Sequence, residues 1–334
     1  MATASNRSRH SARTLARGLL RVGLLLAGLL PMLSQAGVAV TPLSDFDFGH
    51  WSPGAGQITA SRDFCAVSVV GNRLTANNTN QLRPFGVTLE DLDAAAKGSI
   101  FRLAHADGGH FLSLELRLGD LRSGVEEALM PNSVTATDKT GDELGCPRGG
   151  PNGRLIVRLL GSDLTGARAG VYEGQFSLSI NGGSNGSNTA ATTFRIRVEI
   201  PDLVRISSLN DIELGFFPGS GDLSGSDALC VYRNDPAGAY LVEASGQGAG
   251  NAFVVVQNGM KLPFAVDYSD GSGDGWRPLT AGGVPVAAGN ANATATDCGG
   301  ATNASVRVRI EESVLTSAEP GSYAGRLTLT VAPI

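Results

Sequence analysis

Residues 170–180 read GVYEGQFSLSI, and residues 321–331 read GSYAGRLTLTV. Both stretches place glycine, tyrosine and glycine at the same spacing, and both then alternate apolar with polar residues. This period of two predicts a half-buried β-strand, because successive side chains on a strand point to opposite faces. The side chains predicted to face a core are Phe176, Leu178 and Ile180 in the first stretch and Leu327, Leu329 and Val331 in the second.

A second pair of matching stretches lies upstream of the first. Residues 43–49 read LSDFDFG, and residues 209–215 read LNDIELG. Two motifs repeated in one order indicate a duplicated domain. The repeat therefore predicts an N-terminal domain at 37–201 and a C-terminal domain at 202–334. Aromatic residues follow the upstream motif in both copies, Trp51 and Phe217, which predicts that Trp51 packs in a core rather than binding a ligand.

The fold class follows from further alternating segments. Residues 193–200 read TFRIRVEI, and residues 305–310 read SVRVRI. Such strands, separated by turns rich in glycine, asparagine and aspartate, are typical of β-sandwiches. We predict an all-β protein made of two immunoglobulin-like sandwich domains.

Four cysteines divide evenly between the two copies: Cys65, Cys146, Cys230 and Cys298. Zinc binding would need closely spaced ligand pairs, and no two of these cysteines are close in sequence. An even count in a secreted chain favours disulfides, for which three pairings are possible. The repeat selects Cys65–Cys146 and Cys230–Cys298, with one bridge in each copy.

The N-terminal residues predict secretion. Five arginines and no acidic residue fall within the first 21 positions, and a leucine-rich run follows from Leu19 to Leu33. This apolar run is short and ends in small residues, which is typical of a signal peptide. We place it at residues 1–36, with cleavage after Ala36 or, alternatively, after Ala39.

Composition argues against several classes of function. The chain has a net charge of −5, and removal of the signal arginines makes the mature protein more acidic, so we expect no nucleic-acid partner. No nucleophile, metalloprotease or phosphate-binding motif is found, so we predict no catalytic residue, no cofactor and no enzyme activity. A calcium loop at residues 270–275 and a metal site at His105, Asp107 and His110 are weaker alternatives to ordinary turns.

The two copies end differently. After Ile180 the first copy continues into the strand predicted at 193–200, whereas after Val331 the sequence reaches Ile334. The C-terminal domain is therefore expected to lack its last strand and to leave a hydrophobic groove that a strand from another chain must fill. The predicted groove residues are Leu209, Ile212, Leu214, Leu327, Leu329 and Val331. Only about seven residues precede Leu43 in the mature chain, too few for a donor strand, so the subunit should end a polymer.

The second copy resembles the spore coat protein U domain, the pilin module of archaic, Csu-type chaperone–usher pili. The motifs that carry the resemblance are residues 230–232 (CVY), 240–246 (YLVEASG) and 262–268 (LPFAVDY), followed by Trp276 and residues 321–323 (GSY). The first copy departs from the family near 88–109 and 120–145. A divergent first domain followed by a pilin-like domain resembles the family's two-domain tip adhesin.

This resemblance implies an adhesin-like first domain and a pilin-like second domain. It also implies a periplasmic chaperone, an outer-membrane usher, a neighbouring pilin subunit that donates a strand, and attachment to abiotic or host surfaces in biofilm formation. The protein would pass through the periplasm to the cell surface. The alternative is a minor structural pilin made of two fused modules.

Adhesion is expected at loops of the first domain that point away from the pilus. The turn at 181–192, the connection at 72–85 and the inserted middle segment are the candidates. Within them, the apolar residues predicted to contact a surface are Phe85, Leu129, Met130 and Pro131.

Overall fold

Alternating apolar residues form strands nearly throughout the computed structural model of the protein. The structure describes residues 37–70, 81–93, 99–183, 188–273 and 275–334. The predicted signal peptide, at residues 1–36, lies outside the described residues. No helix in these ranges is long and apolar enough to cross a membrane.

The first half contains thirteen strands and a short helix, α1 (Gly161–Thr165). The strands are β1 (Gly37–Val40), β2 (Phe46–His50), β3 (Ile58–Phe64), β4 (Ala66–Val70), β5 (Gln81–Leu82), β6 (Pro84–Asp91), β7 (Phe101–His105), β8 (Phe111–Asp120), β9 (Glu126–Ala128), β10 (Lys139–Thr140), β11 (Gly153–Leu159), β12 (Gly170–Gly182) and β13 (Asn188–Ile200).

The second half contains ten strands, the helix α2 (Glu312–Leu315) and two 3₁₀ turns (Ala249–Asn251 and Cys298–Gly300). The strands are β14 (Val204–Ser207), β15 (Leu223–Arg233), β16 (Tyr240–Gly246), β17 (Val254–Gln257), β18 (Met260–Pro263), β19 (Ala265–Ser269), β20 (Arg277–Leu279), β21 (Val286–Ala288), β22 (Ala304–Ile310) and β23 (Leu327–Pro333).

The strands of the first half curl around one hydrophobic core. Their order is β10-β6-β12-β7-β8-β11-β3, with β13 between β12 and β2, and β9 on β8; β1, β4 and β5 form a smaller sheet. The core includes Phe46, Phe176 and Phe194, which are 0–2% exposed and contact one another through their rings. Trp51 is 3% exposed within the same cluster, which confirms that it packs.

The second half is a sandwich of two sheets. One has the order β14-β15-β22-β19-β20 and the other β21-β16-β23, and the hairpin β17–β18 lies beside them. Between the sheets, the hydroxyls of Tyr240 and Tyr268 are 2.7 Å apart and hydrogen-bonded. Burial raises the pKa of Tyr240 to about 12 and raises that of Tyr268 as well, so both phenols stay neutral and serve as packing residues.

Two predictions are confirmed at this level. The described chain is all-β with sandwich packing, as the period-two segments indicated. The disulfides join Cys65 to Cys146 and Cys230 to Cys298, across 81 and 68 positions of sequence. The division at residues 201–202 stays a prediction, although separate hydrophobic clusters form on either side of it.

Candidate functional site

The strand β12 shows how the repeated motif is completed in the first half. β13 pairs with one edge of β12 along its whole length, and β6 and β7 pair with the other edge. With both edges covered, Phe176, Leu178 and Ile180 are 0% exposed.

The strand β23 carries the same motif with one edge open. β16 pairs with β23 from Leu327 to Pro333, and no strand of the described residues pairs with the opposite edge. Leu327, Leu329 and Val331 are only half-buried, although their counterparts on β12 are fully buried. The difference in burial therefore comes from the strand that β12 has and β23 lacks.

A second wall faces this open edge. We call residues 208–217 the groove segment. Its Asn210 is fixed by two hydrogen bonds to the Asp227 carboxylate, of 2.7 Å and 3.2 Å. Ile212 and Leu214 lie against Gly225 of β15 so closely that a Cβ there would come within 2.7 Å of Ile212 Cγ2. The absence of a side chain at Gly225 thus lets the groove segment approach the sheet.

The groove segment lacks the partner that its counterpart has. In the first half the counterpart is β2, and Phe46 and Asp47 pair in parallel with Ile196 and Arg197 of β13. The groove segment belongs to no strand. One missing strand would therefore complete both β23 and the groove segment.

The groove between these walls has a volume of about 950 Å³ and an apolar floor. The floor is formed by Val306, Val308 and Ile310 of β22, which are 0–8% exposed. The alternation at 305–310 predicts a strand but does not place it beside the groove. The period-two pattern shows which side chains are buried but not which buried residues adjoin an opening.

Five of the six predicted groove residues line the groove: Leu209, Ile212, Leu214, Leu327 and Leu329. The sixth, Val331, lies farther along β23, opposite Val242 of β16, and packs against the core of the second half. Three residues before β23 begins, Ala324 is linked to Val256 of β17 by backbone hydrogen bonds of 2.8 Å and 3.3 Å. These bonds fix the repeated motif just before β23 begins.

The four predicted adhesive residues differ in how far they are buried. Phe85 lies within β6 and is 1% exposed, and Leu129 is 5% exposed, so the expectation that both lie at the surface of loops is corrected. Met130 is 54% exposed and Pro131 is half-buried. Other parts of the predicted loops, residues 72–80 and 184–187, lie outside the described residues.

The connection between β8 and β11 carries a larger exposed apolar set than sequence analysis identified. We call residues 121–144 the apolar connection. Its exposed large apolar residues are Leu121 (36%), Val125 (62%), Met130 (54%), Val134 (59%) and Leu144 (48%). Four of these residues, all except Met130, stand singly between polar residues or glycines, and that pattern was the available signal, since a core strand would have alternated.

At the two alternative metal sites, the carboxylates of Asp270 and Asp107 are engaged in hydrogen bonds and ion pairs within the chain. Burial alone raises the pKa of Asp270, but hydrogen bonds from Ser272, Gly289 N and Arg277 lower it to about 2. That carboxylate thereby fixes the turn at 270–273, and Asp274 lies outside the described residues. Asp107 contacts His105 and Arg168. In the described ranges no group of three or more His, Cys, Asp or Glu side chains could hold a metal ion.

Comparison with known proteins gives structural likenesses only. No family model matches the chain, and no curated protein matches it. The pre-assembly complex of the chaperone CsuC with the tip adhesion subunit CsuE, from Csu pili of Acinetobacter baumannii, matches at 13% identity and a TM-score of 0.47, over 88% of this chain and 99% of that chain. A chaperone–tip adhesin complex of CFA/I fimbriae matches at 14% identity and a TM-score of 0.35, over 88% and 97%. The CupB6 tip adhesin of Pseudomonas aeruginosa matches at 11% identity and a TM-score of 0.30, over 89% and 93%.

Proposed function

We propose that this chain is the tip subunit, an adhesin, of a chaperone–usher pilus, and that its groove is filled by a strand from another polypeptide. The observation that carries the proposal is the contrast between β12 and β23. One repeated motif is paired on both edges and fully buried, and the other has an open edge over an apolar groove. Such an edge presents unpaired backbone groups and apolar surface, so a further strand would stabilise it.

The first half supplies a template for the direction of that strand. β13 runs antiparallel to β12 and parallel to β2. The corresponding donor strand would run antiparallel to β23 and parallel to the groove segment. Phe194 lies opposite Phe176, and Ile196 lies opposite Gly174. By the repeat, a donor should place large apolar residues opposite Leu327 and Gly325.

The partners follow from this arrangement together with the family resemblance. A periplasmic chaperone would supply the strand before assembly, an outer-membrane usher would export the subunit, and a neighbouring pilin would then supply its own strand at the cell surface. The chain would act by binding rather than catalysis.

The alternative is a minor structural pilin, which would also need to donate a strand. Residues Gly37–Val40 already pair with Ala66–Val69 of the chain's own sheet. Four residues engaged in this way are not free to enter a neighbour, which favours the tip subunit.

The experiment that tests groove filling uses the chain's own template as its probe. A synthetic peptide of residues 188–200, NTAATTFRIRVEI, should bind the mature protein and raise its unfolding temperature. At a peptide concentration a hundredfold above Kd, the expected stabilisation is about 2.7 kcal/mol. Calorimetric titration and thermal unfolding measure the two effects.

The matched control is a peptide with serine in place of Phe194 and Ile196, which keeps the length and charge. It should bind at least tenfold more weakly, since it removes the apolar groups that face the groove. Equal binding of the two peptides would show that the groove does not recognise a strand by its apolar face.

We further propose that the apolar connection forms the adhesive surface for abiotic or host surfaces, and so supports biofilm formation. The triple variant Val125→Thr, Met130→Gln and Val134→Thr removes its three most exposed apolar side chains. Attachment of pilus-bearing cells to polystyrene should fall several-fold with pilus number unchanged, because less apolar area is removed from water on contact.

The matched control is Val284→Thr, which alters an 88% exposed valine of the second half. It should leave attachment unchanged. Normal attachment by the triple variant would place adhesion elsewhere on the molecule.

A further inference from the structure

Charged side chains beside β13 show what a completing strand contributes to the first half. Arg195 N donates a 2.8 Å hydrogen bond to the Asp45 carboxylate, and the Arg197 guanidinium lies 3.7 Å from the Asp47 carboxylate. The first contact uses a backbone N–H, which every residue except proline provides. The second contact requires a cation. The contact with Asp47 therefore depends on the sequence of the completing strand.

The groove segment carries the equivalent carboxylates without these partners. The repeat aligns Asp211 with Asp45 and Glu213 with Asp47. Both side chains are exposed and line the groove, and neither forms an ion pair with another residue in the described part of the chain. The remaining charged residue of the groove lining, Glu319, is also acidic. A strand that enters the groove therefore meets negative charge along the groove segment.

The opposite wall differs from its template in charge. In the first half, Arg195 lies opposite Gln175 and forms a 3.3 Å ion pair with Glu173. The repeat has Arg326 at the position of Gln175 and Ala324 at the position of Glu173. An arginine on an incoming strand would thus face a cation there and would have no carboxylate on β23 beside it. Like charges directly opposite each other destabilise a strand pair, so this position favours an acidic residue.

We propose that the groove selects its strand by charge as well as by apolar side chains. The strand carries an acidic residue opposite Arg326 and, two positions later, a basic residue beside Glu213. Its backbone N–H at the first position donates to Asp211. The inference rests on the proposed function, because it describes the strand that fills the groove. The template is a completed fold, so the pattern belongs to the strand that stays in place, the one donated by the neighbouring pilin.

Two variants of the 188–200 peptide test the pattern with one and the same change of charge. The Arg195→Glu peptide should bind the mature protein at least about threefold more tightly than the parent peptide, because its glutamate meets Arg326 in place of a second cation. The Arg197→Glu peptide should bind at least about threefold more weakly, because its glutamate lies beside Glu213. Calorimetric titration measures the three affinities.

Variants of the protein reverse each effect. Glu213→Lys should make the Arg197→Glu peptide bind more tightly than the parent, and Arg326→Glu should remove the advantage of the Arg195→Glu peptide. Both side chains are exposed, so the folded subunit should tolerate the changes. The matched control is Glu90→Lys, at an exposed position of β6 in the first half, and it should keep the original order of the peptides.

The outcomes separate this inference from the proposed function. Equal affinities of the two variant peptides would overturn the charge pattern and leave groove filling intact. No binding by any of the peptides would overturn groove filling and the charge pattern together. In salt of about 1 M, where the Debye length is about 3 Å, the differences between the peptides should shrink.

Isolated pili identify the source of the strand. Glu213→Lys should lower the urea concentration at which the tip subunit is released from pili and should leave its recovery as a periplasmic chaperone complex unchanged. Reduced recovery of the chaperone complex with normal release from pili would assign the charge pattern to the chaperone, and the assignment to the neighbouring pilin would be wrong.

Discussion

Leu329→Asp should weaken capture of a donor strand by at least a hundredfold while the free subunit stays folded. The side chain of Leu329 is half-buried and lines the groove, so an aspartate there remains hydrated until a strand enters. Insertion would then bury an unpaired carboxylate, which costs several kcal/mol. A loss of about 2.8 kcal/mol already corresponds to a hundredfold change in Kd.

The matched control changes the neighbouring side chain on the same strand. Thr328 is exposed and, by the period of two, points away from the groove. Thr328→Asp adds the same charge one residue away and should bind the 188–200 peptide with nearly normal affinity. Titration calorimetry with both variants, and recovery of pili from cells that carry them, give the comparison. Equal affinities would mean that the groove is not where a strand binds.

Much of this site could be predicted because the chain contains two versions of one motif. The repeat aligned Leu327 and Leu329 with Phe176 and Leu178, and the strand β13 beside the first version has no counterpart among the described residues of the second half. It also fixed the pairing of the cysteines, which the structure confirms. Each inference compared two positions in the same chain, so it needed no knowledge of long-range contacts.

The adhesive residues could not be placed in this way, because the matching motifs of the two copies lie outside the apolar connection. It folds back along β6, where Asn132 N donates to Leu89 O and Thr135 N donates to Val87 O, both at 2.9 Å. Leu129 N in turn donates to Leu116 O of β8, and the Leu129 side chain is 5% exposed. All these contacts join the connection to residues that are distant from their partners in sequence. The prediction that Phe85 is exposed was wrong for a different reason. The alternation of Phe85, Val87 and Leu89 already indicated a strand with that face buried.

The groove floor illustrates the remaining limit of sequence reasoning. Val306, Val308 and Ile310 form an ordinary buried face of β22 by their pattern. They adjoin the groove only because β23 and the groove segment leave a gap above them. A gap is a property of how strands are arranged, so local periodicity does not reveal it.

The strongest test of the open edge compares two leucines that occupy equivalent positions in the repeat. Leu178 is 0% exposed on β12, with strands on both sides, and Leu329 is half-buried on β23. Leu178→Ala should lower the free energy of unfolding by about 3 kcal/mol, because it leaves a cavity in a closed core. Leu329→Ala should cost only about 1 kcal/mol in the free subunit, because less apolar area is lost.

Filling the groove should remove this difference. With the 188–200 peptide bound, Leu329 becomes enclosed as Leu178 is, so the cost of Leu329→Ala should rise toward the value for Leu178→Ala, whose own cost should not change. Calorimetric unfolding of the mature chain, with and without peptide, measures all four values. If Leu329→Ala is already as costly as Leu178→Ala without peptide, the edge of β23 is covered in the free subunit. The proposal that it accepts a strand would then be wrong.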